Sequence, residues 1–538
     1  MKRLPILVLT LVLMLSLILA GCQGAATTTT TGTTAGTTAA TTAGTTKDGT
    51  TEATTEATTE ATTAPTEVEL YEFTLMGNLG AEMKEPDQIF FENLGKALNL
   101  KINVEIPPST SYNERLQMML ASAEYPELVL FPNHTDVMFV DAVKNGVFLP
   151  LNDYLANTPN LIQYSYEISW EALKVLGDDK IYAVPRTSIA RADGQLIRAD
   201  WIDKLGIEFT EGQAITLAKL EEIATAFTFD DPDGNGVNDT YGIGTNCSAE
   251  GNLSVLFPWA FGLIGWQEYD GVYMDLTYSK DHDNYKRALE FTNAMWKKGI
   301  IDPDWPTVQR DVSNERFKKG ITGIYGEFAG WLTSTEQAGM ELNPNFKLEY
   351  ITAVIEKEGD KAEGGSFSTG FWGNWSITNT TEQPERVMGM LDYLLSDDYW
   401  TEVMYGPKGV TWNMEGDNAV ATEKYKDYGM GKALLRRNNA PAFFVSLAQA
   451  PEARTRIEGL IDTCIKQAVF SKDEGFRPPV ADDPNYIDYV KQMNIQISKI
   501  IVGDLPVSEW DAILDGWYAA GGEQYIQQMQ DHIKAKNG

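Results

Sequence analysis

Asp231, Asp233, Asn235 and Asp239, with Gly236 at the sixth place and the Val237 carbonyl at the seventh, set oxygen donors at positions one, three, five, seven and nine of a loop. A hard cation such as calcium takes such a set of carboxylate, amide and carbonyl oxygens, and the glycine lets the backbone turn sharply around it. The twelfth place, a bidentate glutamate in the calcium loop of an EF-hand, is Gly242 here, so the spacing implies an ion site without the flanking helix pair. The same Asp, Asn and Gly residues also suit a metal-free turn. A bound ion would be structural, pinning the loop beside a helix over 217–227.

Other chemistry finds little support. His134, His282 and His532 are the only histidines and show no paired spacing, which speaks against a histidine-based zinc site or a catalytic triad. Ser366-Phe367-Ser368-Thr369-Gly370 lacks the leading glycine of a nucleophile elbow, and no phosphate-binding loop occurs. A glycosidase needs only two carboxylates, which 76 acidic residues always provide, so spacing leaves that class open. With 43 basic side chains the formal charge is −33, the wrong sign for nucleic acid or an anionic membrane face.

Three elements must carry whatever the residues do. The first is an address: Met1-Lys2-Arg3, an apolar run over 4–20, then Leu19-Ala20-Gly21-Cys22. This is the pattern of a bacterial lipoprotein signal, cut before Cys22, whose thiol takes the lipid. A run this short makes a poor membrane span. The second is a Thr-, Ala- and Gly-rich stretch over 23–66, too poor in apolar surface to fold, with a reach as a coil of roughly 35–40 Å. The third is a soluble body over 67–538, longer than a single core supports, so at least two lobes are expected.

Within the body, alternation over 69–75 and 101–106 predicts strands, 90–98 and 112–123 read as helices, and the apolar run 125–131 suits a buried parallel strand. Strands alternating with helices predict an α/β architecture. Leu217, Leu220, Ile223, Ala224 and Phe227, and later Trp510, Ile513, Leu514 and Trp517, mark helix faces for core packing. Cys247 and Cys464 either pair or stay as buried thiols.

Tyr125-Pro126-Glu127-Leu128, the run Phe148-Leu149-Pro150-Leu151-Asn152-Asp153-Tyr154-Leu155, Ile181-Tyr182-Ala183-Val184-Pro185 and Arg198-Ala199-Asp200-Trp201 occur in an order that resembles family 1 extracellular solute-binding proteins, the receptors of ABC sugar importers. Lys297-Lys298-Gly299-Ile300-Ile301-Asp302-Pro303, Phe317-Lys318-Lys319-Gly320, Pro384-Glu385-Arg386 and Tyr405-Gly406-Pro407-Lys408-Gly409-Val410 continue the likeness, which is strongest for the large lipoprotein and alginate-binding type.

The resemblance implies a two-lobed periplasmic-binding-protein-like fold of type II, with discontinuous lobes joined by hinge crossings near Val184-Pro185-Arg186, Ser366 and Trp412. One lobe would combine 67–184 with 367–412, the other 185–366 with 413–538. It implies an interlobe cleft whose aromatics stack on sugar faces and whose polar groups bind hydroxyls. Stacking candidates are Trp259, Trp266, Trp331, Trp372, Trp375, Tyr405 and Trp412; polar candidates are Arg186, Arg198, Glu327 and Asn374. Each tryptophan taken singly also suits a core. Alginate-binding relatives add an oxygen at position ten of the calcium loop, which adds Thr240 to the implied ligands. The implied protein is not an enzyme. It is a monomer, lipid-anchored on the extracellular face of a Gram-positive cell membrane, that hands an oligosaccharide to ABC permease subunits and binds no nucleic acid. A peptide or other small polar ligand, a surface-tethered glycosidase, and an adhesin or sensor are the alternatives.

Overall fold

The computed structural model describes residues 69–537 apart from Ala81, Arg191, Ala192, Phe367 and Ser368. The signal segment, Cys22 and the tether lie outside these residues. Glu67–Gly538 form one compact unit, and among the described residues no helix is long and apolar enough to cross a membrane.

Two sheets organise this unit. The first runs in the order Leu100–Glu105, Tyr71–Met76, Leu128–Phe131, Phe371–Ile377, Val184–Thr187. Its first three strands are parallel, and Phe371–Ile377 runs antiparallel to both neighbours. Leu128–Phe131 is buried throughout, as an interior strand covered on both faces must be. Pro185 sits in the edge strand, where its missing N–H breaks no ladder. The intervening helix Glu85–Leu98 has acidic residues in its first turn and ends at Asn99 in the left-handed conformation that Asn tolerates.

The second sheet runs Leu348–Ile351, Gly194–Arg198, Thr322–Glu327, Tyr241–Gly244, with Gly194–Arg198 antiparallel to both its neighbours. Successive residues of that strand feed different cores: Leu196 belongs to the cluster that holds Phe328, Tyr350 and Ile461, and Ile197 to the one that holds Phe227, Ile324 and Trp517. The helix faces at Leu220, Ile223 and Phe227 and at Trp510, Leu514 and Trp517 lie in this second core. Cys247 and Cys464 are buried in different clusters and form no disulfide with each other, and the Cys247 thiol donates to the Val308 carbonyl.

The apolar packing corrects one expected boundary. Tyr428, Met430, Leu434, Leu435 and Phe443 belong to the core of the first sheet, so residues past Trp412 do not join the second lobe at once. The buried Asp87 carboxylate accepts the Gly429 and Met430 N–H groups at 3.0 and 2.9 Å and ties this segment to the first helix. Contact with the second sheet's packing begins with Phe444 and Val445.

Candidate functional site

The chain leaves the first sheet at Thr187 and enters the second at Gly194, so residues 188–193 join the two sheet ends. Register places Phe371 beside Thr187 and Glu327 beside Gly194, which puts both at those joined ends. Trp372 follows Phe371 and is 48% exposed; Trp331 closes the turn Ala329–Trp331 after the Glu327 strand and is 52% exposed. Large apolar rings in water are uncommon and informative. A Cβ on Gly330 would lie 2.6 Å from the Phe328 ring and 3.2 Å from Phe444, so only a residue without a side chain lets this turn close on Phe444. Trp259, half-buried in the turn Pro258–Phe261, lies against Gly365.

Glu327 is 8% exposed, and both its carboxylate oxygens accept from Arg310 Nη2, at 2.9 and 3.0 Å. Its Oε1 also accepts the Phe328 N–H. The Glu327 hydrogen bond holds the Arg310 guanidinium above its ordinary pKa, while the side chain itself stays 64% exposed. Together they present a fixed cation beside the Trp331 turn. Sequence reasoning missed Arg310, because its partner lies on a neighbouring element and leaves no local pattern.

Other candidates are placed away from solvent. Arg198 is 1% exposed and stands at the far end of its strand from Gly194. Its guanidinium donates to both oxygens of Asp200, at 2.8 and 2.6 Å, and lies 4.3 Å from the Trp201 and Phe346 rings. This is a structural ion pair within the second lobe. Trp266 packs with Met529 and Ile533. Trp375 is fully buried and donates to the Leu434 carbonyl at 2.8 Å, with Asn374 buried beside it. Trp412 donates to the Gly406 carbonyl at 2.8 Å and joins Tyr405, Tyr425 and Leu447 in a small cluster. Arg186 Nε donates to the Ala433 carbonyl at 2.6 Å.

A cavity of about 730 Å³ opens elsewhere, between residues of the first body such as His134 and Glu171 and residues of the second such as Phe476, His532 and Lys536. None of the tryptophans expected to stack lines it.

In the Asp231 loop, Asp231 accepts the Gly234 and Gly236 N–H groups at 3.0 and 3.2 Å, and Lys204 Nζ caps the Asp231 carbonyl at 3.1 Å. Asn235 Nδ2 lies between Asp233, at 2.8 Å, and Asp239, at 3.1 Å. A donor thus occupies the place between carboxylates that a cation would take. Burial, and then the neighbouring Asp231 and Asp239 carboxylates, raise the Asp233 carboxyl above its ordinary range. The donor types of the loop, three carboxylates, an amide and a carbonyl, are those that suit calcium, but among the described residues no group of three His, Cys, Asp or Glu side chains is set to hold a metal, and Asn235 would have to turn its amide oxygen inward. Thr240 does not fit: it is buried, and its hydroxyl donates to the Phe227 carbonyl at 2.8 Å on the helix side.

No family model matches the chain. The polygalacturonan/rhamnogalacturonan-binding protein YtcQ of Bacillus subtilis (strain 168) is 25% identical over 480 residues, covering 84% of this chain and 89% of that protein. Lipoprotein LipO of the same organism is 25% identical over 462 residues, covering 81% and 87%. This chain is a homologue of solute-binding proteins. Solved structures carry the same two-lobed α/β fold. The HMO-binding solute-binding protein associated with an ABC transporter of Bifidobacterium longum infantis ATCC 15697 superposes with a TM-score of 0.63 at 16% identity, covering 87% of this chain and 99% of that one. The alginate-binding protein AlgQ2 without calcium ion gives 0.61 at 16% over the same shares. An EF-hand mutant of the Streptococcus pneumoniae ABC-transporter substrate-binding protein FusA, in complex with fructo-nystose, gives 0.60 at 17%, again over 87% and 99%. These homologues are binding proteins rather than enzymes.

Proposed function

We propose that this chain is the lipid-anchored, extracellular substrate-binding component of an ABC importer and that it holds an oligosaccharide between its two bodies. The observation that carries the reading is the pair of half-exposed tryptophans, Trp331 and Trp372, borne on the joined ends of the two sheets. Sugar rings offer apolar C–H faces that stack on the flat, largely apolar face of indole. Arg310, fixed by Glu327, supplies charged N–H donors for hydroxyls or a uronate carboxylate. The names of the relatives support the same class, with polygalacturonan and rhamnogalacturonan for YtcQ and fructo-nystose for FusA. Movement about the crossings would close the bodies over the ligand, and the permease would engage the closed form. Calcium held by Asp231, Asp233, Asn235, Val237 and Asp239 would stiffen the second lobe without touching the ligand. Cys22 would carry the anchor.

A thermal-shift screen of the body 67–538 tests this reading with oligogalacturonides, rhamnogalacturonan fragments and fructo-oligosaccharides. A ligand that binds only the folded state must raise the melting temperature, by an amount that grows with its concentration. A shift with one of these saccharides is expected. No shift with any of them, alongside a clear shift with a mixed peptide library, would overturn it in favour of a peptide receptor.

A further inference from the structure

We propose that Arg186 and Trp372 form a subsite for an acidic sugar unit, with the indole stacked on the ring and the guanidinium on its carboxylate, so that the oligosaccharide this protein takes is a uronate-bearing one. The inference names the substrate class of the saccharide reading above and rests on it.

Strand register makes the two residues neighbours. Phe371 pairs with Thr187 and Asn374 with Pro185, so the strand Phe371–Ile377 carries one residue more than Val184–Thr187 over this stretch. Trp372 and Gly373 together therefore stand opposite Arg186, as two residues oppose one at a β-bulge. The ring of Trp372 is 48% exposed there. Both residues lie at the end of the first sheet, where the chain leaves it at Thr187.

Arg186 lacks the partner that a half-buried cation needs. In a chain with 76 acidic against 43 basic side chains, Arg115, Arg316 and Arg456 each hold a carboxylate. Among the described residues no carboxylate pairs with Arg186, whose hydrogen bond runs from Nε to the Ala433 carbonyl at 2.6 Å. Burial alone pushes the guanidinium down, to about 10, with no neighbouring charge to offset it. The side chain is only partly buried, and neither Nη atom is sealed from solvent. The Nε contact thus fixes the group and leaves its outer N–H donors to a ligand.

A planar fork of N–H donors matches a carboxylate, whose two oxygens accept two parallel bonds. A sugar hydroxyl would leave the charge uncompensated. The indole across the bulge takes the apolar face of the ring that bears the carboxylate. The charge of −33 repels an acidic ligand at a distance, but salt screens exposed charges beyond about 8–10 Å, so the cation beside the ring decides at contact range. Arg310 differs, because Glu327 already neutralises it.

Titration calorimetry on the full chain compares oligogalacturonides with the same oligomers methyl-esterified, which keep the rings and lose the charge. The parent should bind the acid form about tenfold more tightly, and added sodium chloride should shrink that preference. Arg186→Gln should bring the ratio of the two Kd values near one by weakening the acid form alone. A folding defect would weaken both forms and leave the ratio in place, so the ratio separates charge reading from support of the Ala433 segment. A preference that survives Arg186→Gln, or a parent that binds the ester as tightly as the acid or binds only neutral saccharides, would overturn the acidic subsite and leave the saccharide receptor standing. A parent that binds no saccharide of either kind would overturn both.

Discussion

Arg310 and Glu327 form a lopsided ion pair: the carboxylate is buried, the guanidinium is open to water, and Nη2 reaches both oxygens within 3.0 Å. Seventeen residues separate them in sequence, and the pair aims a positive charge at the end of the second sheet where Trp331 emerges. Arg310→Ala should leave a buried carboxylate with only the Phe328 N–H and lower stability by about 1–3 kcal/mol. The double variant Arg310→Ala/Glu327→Gln should regain part of that loss, because a neutral amide costs less to bury. Urea unfolding of the three proteins measures both values; a double variant less stable than the single one would contradict this account.

Exposure separates tryptophans that composition cannot. Trp331→Ala and Trp372→Ala should weaken saccharide binding while keeping the parent melting temperature nearly unchanged. Trp375→Ala should instead cost about 3–5 kcal/mol of stability, as the loss of a fully buried large side chain does. Titration calorimetry paired with melting curves distinguishes the outcomes, and intact affinity in both exposed-site variants would remove these residues from the cleft.

Calcium should raise the melting temperature of the body by mass action, about 2.7 kcal/mol at a hundredfold excess over Kd, and chelation should reverse it. Asp233→Ala and Asp239→Ala should abolish the response. Thr240→Val should preserve it, since the hydroxyl is turned to Phe227 and away from the loop. Isothermal titration with calcium chloride checks each variant. A Thr240→Val protein without calcium binding would restore Thr240 as a ligand.

Burial holds the His134 imidazole down to about 4 from an ordinary 6.5. The unfolded chain therefore binds a proton there between those pH values and the folded chain does not. The stability tied to the neutral ring is complete above pH 6.5 and is lost as pH falls toward 4, about 3 kcal/mol over the window. Urea midpoints from pH 7.5 to 4.5 should fall less steeply in His134→Gln than in the parent. Parallel curves would show that the ring protonates freely in the folded state.

Cys22→Ala should leave the precursor without lipid and move the protein from the detergent phase to the aqueous phase on Triton X-114 partitioning. Unchanged partitioning would show that Cys22 does not carry the anchor.

Much of the architecture is legible along the chain, because strand alternation and helix faces are set by neighbours a few residues apart. The strands Tyr71–Met76 and Leu128–Phe131 and the helix Tyr112–Ser122 lie where periodicity predicts them. The order of weak motifs along the chain carried the family likeness, and the charge of −33 spoke against nucleic acid or an anionic membrane face as partner. The oxygen spacing of the Asp231 loop was equally local. Residues 413–443 were not legible, because Met430 and Leu434 are assigned to the first core by the distant Asp87 carboxylate and by no periodicity of their own.

Which of the candidate aromatic rings meet water was decided by tertiary structure alone. Trp372 and Trp375 share one glycine-containing segment, and nothing in their local sequence tells them apart. The register of their strand shifts between Phe371 and Asn374, where Gly373 takes a φ of +73° that brings its backbone against the Phe131 carbonyl. That bulge turns Trp372 to solvent and seals Trp375 under the Leu434 carbonyl. Arg198 met the same kind of decision: its strand enters from the crossing at Gly194, so its length carries the guanidinium to the far end, between Trp201 and Phe346. Sequence determines which side chains are available to a site and which elements carry them. Whether a given ring meets water depends on strand register and on contacts made hundreds of residues away, which local spacing does not encode.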